Sequence, residues 1–357
     1  VSARNDVEQI LELARWAPSG DNTQIWRFEI VDDFNVVVHG FDTREHCVYD
    51  LDGRPSQIAL GALLETISIA ASGHGREMFV QRRAGQPDKT PTFDVRLAAS
   101  PAVTRDALID CIARRTVQRR PMSTRPLTAA EKGELERCVG PRFSIHWLEG
   151  LGPKWRAAVL MFANAKVRLL MPEAYRTHAA VIEWGAQFSE DRIPDAALGA
   201  DPLTVRLMRF AMKSWGRISF LNRYLAGTLA PRLQMDLLPG LACAAHYVLV
   251  DRQAPKSIDD HVAAGRAVQR LWLKLTELGL NQQPEMTPLI FEAYVRKGIK
   301  FTQAGPVADL ALDVAGRLRE VIGVDPAHAV WMGRVGAGTA PRSRSLRLPL
   351  SRLMQTR

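Results

Sequence analysis

Short stretches of this 357-residue chain hold residues whose types and spacing suit particular chemistry. The first is Ala17-Pro18-Ser19-Gly20-Asp21-Asn22-Thr23-Gln24-Ile25-Trp26. A helix has to stop at the proline, and the polar loop behind it offers hydroxyl and amide side chains plus backbone N–H groups. Such a loop suits a planar polar ligand, and it equally suits an ordinary helix end with a turn. The second stretch is Arg114-Arg115-Thr116-Val117-Gln118-Arg119-Arg120-Pro121. Guanidinium groups give a phosphate dianion bidentate, charge-assisted bonds, and threonine adds a hydroxyl donor. A solvated basic turn is the plain alternative. The third, Gly279-Leu280-Asn281-Gln282-Gln283-Pro284-Glu285-Met286, reads by itself as a turn from helix to strand.

A fourth stretch carries Arg334, Arg342, Arg344, Arg347, Arg352 and Arg357 without one acidic residue. It accounts for much of the net charge of +9. A phosphate pocket, a nucleic-acid or membrane contact, and a solvated tail are the three readings of such a run. Glycine and proline between the arginines favour the pocket, and no nucleic-acid motif accompanies them. Other chemistries lack their residues. The eight histidines form no HxxxH or HExxH pair, and Cys47, Cys111, Cys138 and Cys243 form no CxxC, so no metal site is expected. Ser19 lacks a Gly-x-Ser-x-Gly setting, and the short Gly73-His74-Gly75 and Gly336-Ala337-Gly338 runs are no dinucleotide fingerprint. No side chain is assigned as a catalytic acid, base or nucleophile.

These residues need elements to position them. Val7, Ile10, Leu11, Ala14 and Ala17 follow helical spacing and predict a helix over 5–17. Strands are expected at 24–30, 35–39, 76–83 and 92–98, with a long apolar helix at 55–72. A second round follows: a helix at 128–138 opened by a Thr128/Glu131 capping box, a strand at 142–148, and an almost wholly helical stretch at 153–229. Then come a buried strand at 243–250, a helix at 257–278, helices near 288–297 and 307–322, and a strand at 328–335. Paired strands covered by helices predict the α+β class. The two rounds, 1–104 and 105–357, read as related modules, with 172–236 inserted in the second. With 46% apolar and 24% charged residues the chain is globular, and Leu237 to Val250, its longest apolar stretch, is too short to span a bilayer. The widely spaced cysteines and the charged helical start, without a signal-peptide core, lead us to expect a cytoplasmic protein.

The pattern Ala17-Pro18-Ser19-x-x-Asn22-x-Gln24-x-Trp26 resembles the signature loop of the nitroreductase family, FMN enzymes that usually form homodimers. In that family the loop of one subunit packs against a flavin bound mainly by the other. Ile25 stands where the family usually has proline. Arg114-x-Thr116-x-x-Arg119 resembles the run that holds the FMN phosphate and ribityl chain, but it lies about 90 residues after the loop rather than before it. Each half thus holds what the other lacks. This arrangement is similar to the Acg-type and MoeY-type branches, in which two fused nitroreductase-like modules make an intramolecular pseudo-dimer.

The resemblance implies FMN as cofactor, with NADH or NADPH as electron donor. Pro18, Ser19, Asn22 and Gln24 would face the ring, and Arg114, Arg115, Thr116 and Arg119 would hold the phosphate. The family's helix-to-strand turn directs amides at flavin N5; with Asn281 replacing a glycine and Pro284 lacking an N–H, that contact falls to Gln283, Glu285 or Met286. The ending Arg347-Leu348-Pro349-Leu350 resembles the family's C-terminus, so Arg347 and Arg344 would reach the phosphate or the N1/O2 edge. The helical insertion would act as a lid. The implied activity is hydride transfer through flavin to or from a small aromatic, quinone or biosynthetic intermediate. The alternative is a flavin-binding or sequestering module with little turnover, possibly beside a ThiF-like domain. A homodimer of pseudo-dimers is the other assembly that the resemblance allows. Neither reading calls for metal, nucleic acid or a membrane span.

Overall fold

The computed structural model describes residues 3–355, so Arg357 of the basic tail lies outside the described residues. Helix α1 (Ala3–Ala14) buries Val7, Ile10, Leu11 and Ala14, the stripe set by its sequence spacing. Past Ala14 the chain tightens, with Trp16 N–H donating to Leu13 O and Ala17 N–H to Ala14 O, and Pro18 ends it. Strands β1 (Trp26–Ile30) and β2 (Asn35–Gly40), helix α2 (Arg54–Ser72), and strands β3 (Arg76–Arg82) and β4 (Thr92–Ala99) complete the first half. The strands form an antiparallel sheet in the order β1-β2-β4-β3.

The second half opens with α3 (Ala129–Cys138), which carries the Thr128/Glu131 capping box, and β5 (Phe143–Leu148). Helices α4 (Leu151–Leu170) and α5 (Pro172–Val181) follow. The stretch beyond them is not helical throughout, contrary to expectation. Two-residue strands β6 (Ile182–Glu183), β7 (Phe188–Ser189) and β8 (Ile193–Pro194) interrupt it before α6 (Pro202–Ala211), α7 (Trp215–Tyr224), α8 (Leu229–Arg232) and α9 (Leu238–Leu241). Gly185 and Gly199, both at positive φ, turn the chain there. Strand β9 (Ala245–Asp251), helix α10 (Ile258–Glu277) and strand β10 (Leu280–Pro284) come next. They lead to α11 (Thr287–Lys297), α12 (Gly305–Ile322), β11 (Ala329–Ala337), β12 (Arg344–Ser345) and α13 (Leu350–Leu353).

The second sheet is also antiparallel, in the order β5-β9-β11-β10. In chain order its strands lie first, second, fourth, third, as do those of the first sheet. In both halves the long helix runs between the second and third strands. These helices, α2 and α10, cross at two glycines. A Cβ on Gly61 would stand 2.0 Å from Val262 O, and one on Gly265 would stand 2.0 Å from Ile58 O. Each glycine thus faces the carbonyl three residues before the other. Around the crossing His261 bonds Gln57, Gln269 bonds Thr66, and Arg266 and Arg270 both reach Glu65.

The halves also exchange segments. Leu348 and Leu353 of the tail lie in the core of the first sheet with Trp26 and Phe28, and Gln355 N–H donates to Phe28 O at 2.7 Å. In return Val48, with Tyr49 and Leu51, packs among Phe291, Tyr294 and Val314 of the second half. A boundary at residue 104 therefore divides the sequence without dividing the cores.

Candidate functional site

The loop behind α1 holds a costly backbone. Asp21, Asn22 and Gln24 all have positive φ, at 50°, 63° and 48°. Asp and Asn tolerate this region, but a side chain such as that of Gln costs about 1–2 kcal/mol there. Side-chain bonds hold it in place. Ser19 Oγ accepts from Gln24 N–H at 2.9 Å, and the Gln24 amide donates to Glu190 O at 2.9 Å. Gln24 Oε1 accepts from Leu348 N–H at 2.9 Å, while Asn22 Nδ2 reaches Glu190 O and Arg192 O. Two distant segments meet on this loop, residues 190–192 and the tail at Leu348. Strand β12 seals the arrangement by pairing in parallel with β7.

Beside the loop three arginines converge on the end of α1. Arg115 Nη2 donates to Trp16 O at 2.9 Å and Arg347 Nε to Ala17 O at 3.0 Å. Arg344 Nη2 donates to Arg115 O at 3.3 Å. Helix carbonyls are natural partners for cations. Aromatic rings add to this: Arg115 lies over Trp272 at 4.5 Å and Arg344 over Trp16 at 5.1 Å. Arg115 is 3% and Arg347 7% exposed, yet among the described residues no carboxylate pairs with any of the three. Burial, then the charges of Arg347 and Arg344, push the Arg115 guanidinium well below its usual range. Burial, Arg344 and Arg15 bring Arg347 down to about 9. The Nε atoms of Arg115 and Arg344 are buried without an acceptor. Buried charge is ordinarily paired, so this cluster lacks an anion.

The basic run continues along the edge of β10, where Val117 bridges Gln282 and Gln118 N–H donates to Gln282 O. Four extended residues span roughly 13 Å, which carries Arg119 away from Arg115 to a second charged group. Arg119 donates to Ala197 O at 3.2 Å; burial lowers it to about 10, Asp21 opposing that shift and Arg334 adding to it. Arg334, 2% exposed, reaches Glu285 at 2.9 Å and Arg119 O at 3.0 Å. Glu285 also holds His246 at 2.6 Å. Burial alone would lower the imidazole, but the Glu285 carboxylate overrides it and raises His246 to about 10. Unlike the first cluster, this one contains its own carboxylates. Nearby, Tyr49 and His178 share a hydrogen bond of 2.9 Å that ties the first half to α5, and burial lowers His178 to about 3.

The expected site residues therefore separate. Pro18, Ser19, Asn22, Gln24, Arg115, Arg344 and Arg347 meet around the end of α1. Arg114 is exposed and makes none of these contacts, and Thr116 offers its carbonyl to the Trp272 indole at 3.2 Å. Arg119 belongs to the second cluster. The Glu285 side chain is held by His246 and Arg334, and its N–H donates to Met332 O at 2.8 Å, so it has no free group for a ring. Met286 Sδ accepts from Met332 N–H. Gln283 lies opposite Arg334 in the sheet, and Gln283 Oε1 and Arg334 Nε are buried without partners. Sequence reasoning missed Trp16, Trp272, Asp21 and the His246–Glu285 pair. The two tryptophans carried no spacing signal, since each reaches its arginine only through the tertiary fold.

Open depressions of about 550 and 480 Å³ lie on β2–β4 and on the α3–β5 edge, and include none of these residues. Among the described residues no helix is long and apolar enough to cross a membrane, and no group of three His, Cys, Asp or Glu could hold a metal. No family model and no curated protein matches the chain. Among solved structures it is similar to a nitroreductase-like family protein from Bacillus cereus, with 14% identity and a TM-score of 0.34, over 71% of this chain and 97% of that one.

Proposed function

We propose that the chain is an FMN-dependent oxidoreductase built as an intramolecular pseudo-dimer of two nitroreductase-like modules, with one flavin site. The observation that carries this reading is the buried arginine group without a carboxylate, set against a strained polar loop from the other module. A phosphate dianion would supply what the group lacks: two guanidinium Nε atoms are without acceptors, and the three positive charges are without a counter-charge. The shared strand order and the reciprocal crossing of α2 and α10 support the duplication.

Arg115, Arg344 and Arg347 would hold the phosphate, and Pro18, Ser19, Asn22 and Gln24 would wall the ring. Gln283 and Arg334, with orphaned polar atoms, would meet its polar edge. Positive charge there favours an anionic reduced ring. Bound FMN would supply two-electron chemistry between NADH or NADPH and a small aromatic, quinone or biosynthetic intermediate. The chain's own residues bind and orient it, and the insertion over Asn22 and Gln24 keeps out water as a lid.

The same cover favours a second reading, a flavin-sequestering module with little turnover, because carbonyls of 190 and 192 already occupy the Asn22 amide. Loading purified protein with FMN and adding NADH or NADPH anaerobically tests both. Bleaching of the flavin band, then recovery in air, is the expected result. A bound flavin that neither donor reduces would support sequestration, and protein that takes up no FMN would refute both.

A further inference from the structure

From residue 202 to residue 235 the chain contains no Asp or Glu, yet it holds Arg206, Arg209, Lys213, Arg217, Arg223 and Arg232. All but Arg232 are exposed. The flanking acids are engaged elsewhere, Asp201 capping α6 and Asp236 pairing with Arg168 at 3.0 Å. Large apolar side chains are exposed in the same segment. Leu203, Leu207 and Phe210, spaced along one face of α6, are 64%, 58% and 52% exposed, and Phe220, Tyr224 and Leu225 follow at α7. Helix α6 buries only Thr204, and α7 buries no residue. Helices this short do not sustain themselves in water and normally rest on a buried apolar face. Here that face points outward, as at an interaction surface.

We propose that the α6–α7 hairpin docks the protein peripherally on an anionic phospholipid surface. Its apolar side chains enter the boundary between headgroups and acyl chains, and its cations rest on the lipid phosphates. Charge decides the occupant. A second copy meeting the same patch across a two-fold axis would set cation against cation. Nucleic acid would use the cations and leave Leu203, Leu207 and Phe210 in water. An anionic lipid surface satisfies both sets of residues, and it requires no spanning helix.

Co-sedimentation of the full chain with vesicles tests this, and the readout is independent of flavin. Binding to mixed phosphatidylglycerol/phosphatidylcholine vesicles is expected, weakening with salt, with little binding to phosphatidylcholine alone. The Arg206→Ala/Arg209→Ala double variant should lose about 25-fold in partitioning at low salt, since each basic residue contributes about 5-fold. Leu207→Ser/Phe210→Ser should also release the protein while leaving its circular dichroism and Tm unchanged, because both side chains are exposed. Equal sedimentation with both vesicle types, or binding that both double variants retain, would overturn the proposal. A concentration-dependent dimer abolished by Leu207→Ser/Phe210→Ser, without vesicle binding, would assign the patch to a second copy instead.

Discussion

Arg115 and Arg347 sit in a place where a fold without a ligand gains little from them, since burial and mutual repulsion both weaken the charged form. Arg115→Ala and Arg347→Ala should each weaken FMN binding about 10- to 100-fold, the usual cost of a lost charge-assisted contact. Arg114→Ala should leave it unchanged, because that side chain points to solvent; fluorescence titration checks all three. The His246–Glu285 pair gives a pH signature. The folded-state value of His246, about 10, lies above its ordinary 6.5. Its stabilisation is therefore complete below about pH 6.5 and lost as pH rises through about 10. Chemical denaturation from pH 6 to 10 should show wild-type stability falling more steeply than that of Glu285→Gln. At pH 7 the variant should be about 3–5 kcal/mol less stable, having left a buried cation unpaired. Parallel slopes would show that the pair does not titrate as described.

At the scale of elements, the sharpest test lies where α2 and α10 cross. A methyl on Gly61 or Gly265 meets a backbone carbonyl that cannot rotate away. Gly61→Ala should cost at least about 1–3 kcal/mol by forcing the helices apart, read as a fall in the denaturant midpoint. Helix α1 was legible because its apolar residues repeat at helical spacing on a face that is in fact buried, and α2 because its long Ala, Leu and Ile run matches a helix buried nearly all round. Strand β10 was legible only as a strand or turn near 281–286, since Pro284 argues against a strand interior; the strand lies at the end of the sheet order and Pro284 at its last position, where proline is tolerated. The 153–229 stretch misled for another reason. It read as almost wholly helical because the short strands β6, β7 and β8 are too brief to show alternation, and its bulky Phe188, Leu207, Phe210 and Phe220 in fact face outward.

At the scale of the whole molecule, the proposed duplication rests in the sequence on two rounds of elements and two incomplete halves of one motif set. The exchange of segments was not visible, because packing of Leu348 and Leu353 under the first sheet depends on a tail returning across the molecule. The same return brings Arg344 and Arg347 to Arg115, while nothing in the order of residues told Arg115 from the exposed Arg114. Truncation after Ser343 should therefore lower Tm and abolish FMN binding together. The most direct test compares FMN with riboflavin, which lacks only the phosphate, on wild type and Arg347→Ala at one ionic strength. FMN should bind the wild type about 10- to 100-fold more tightly than riboflavin, and the variant should lose most of that preference. Equal affinity of the wild type for the two flavins would contradict a phosphate held by the three arginines.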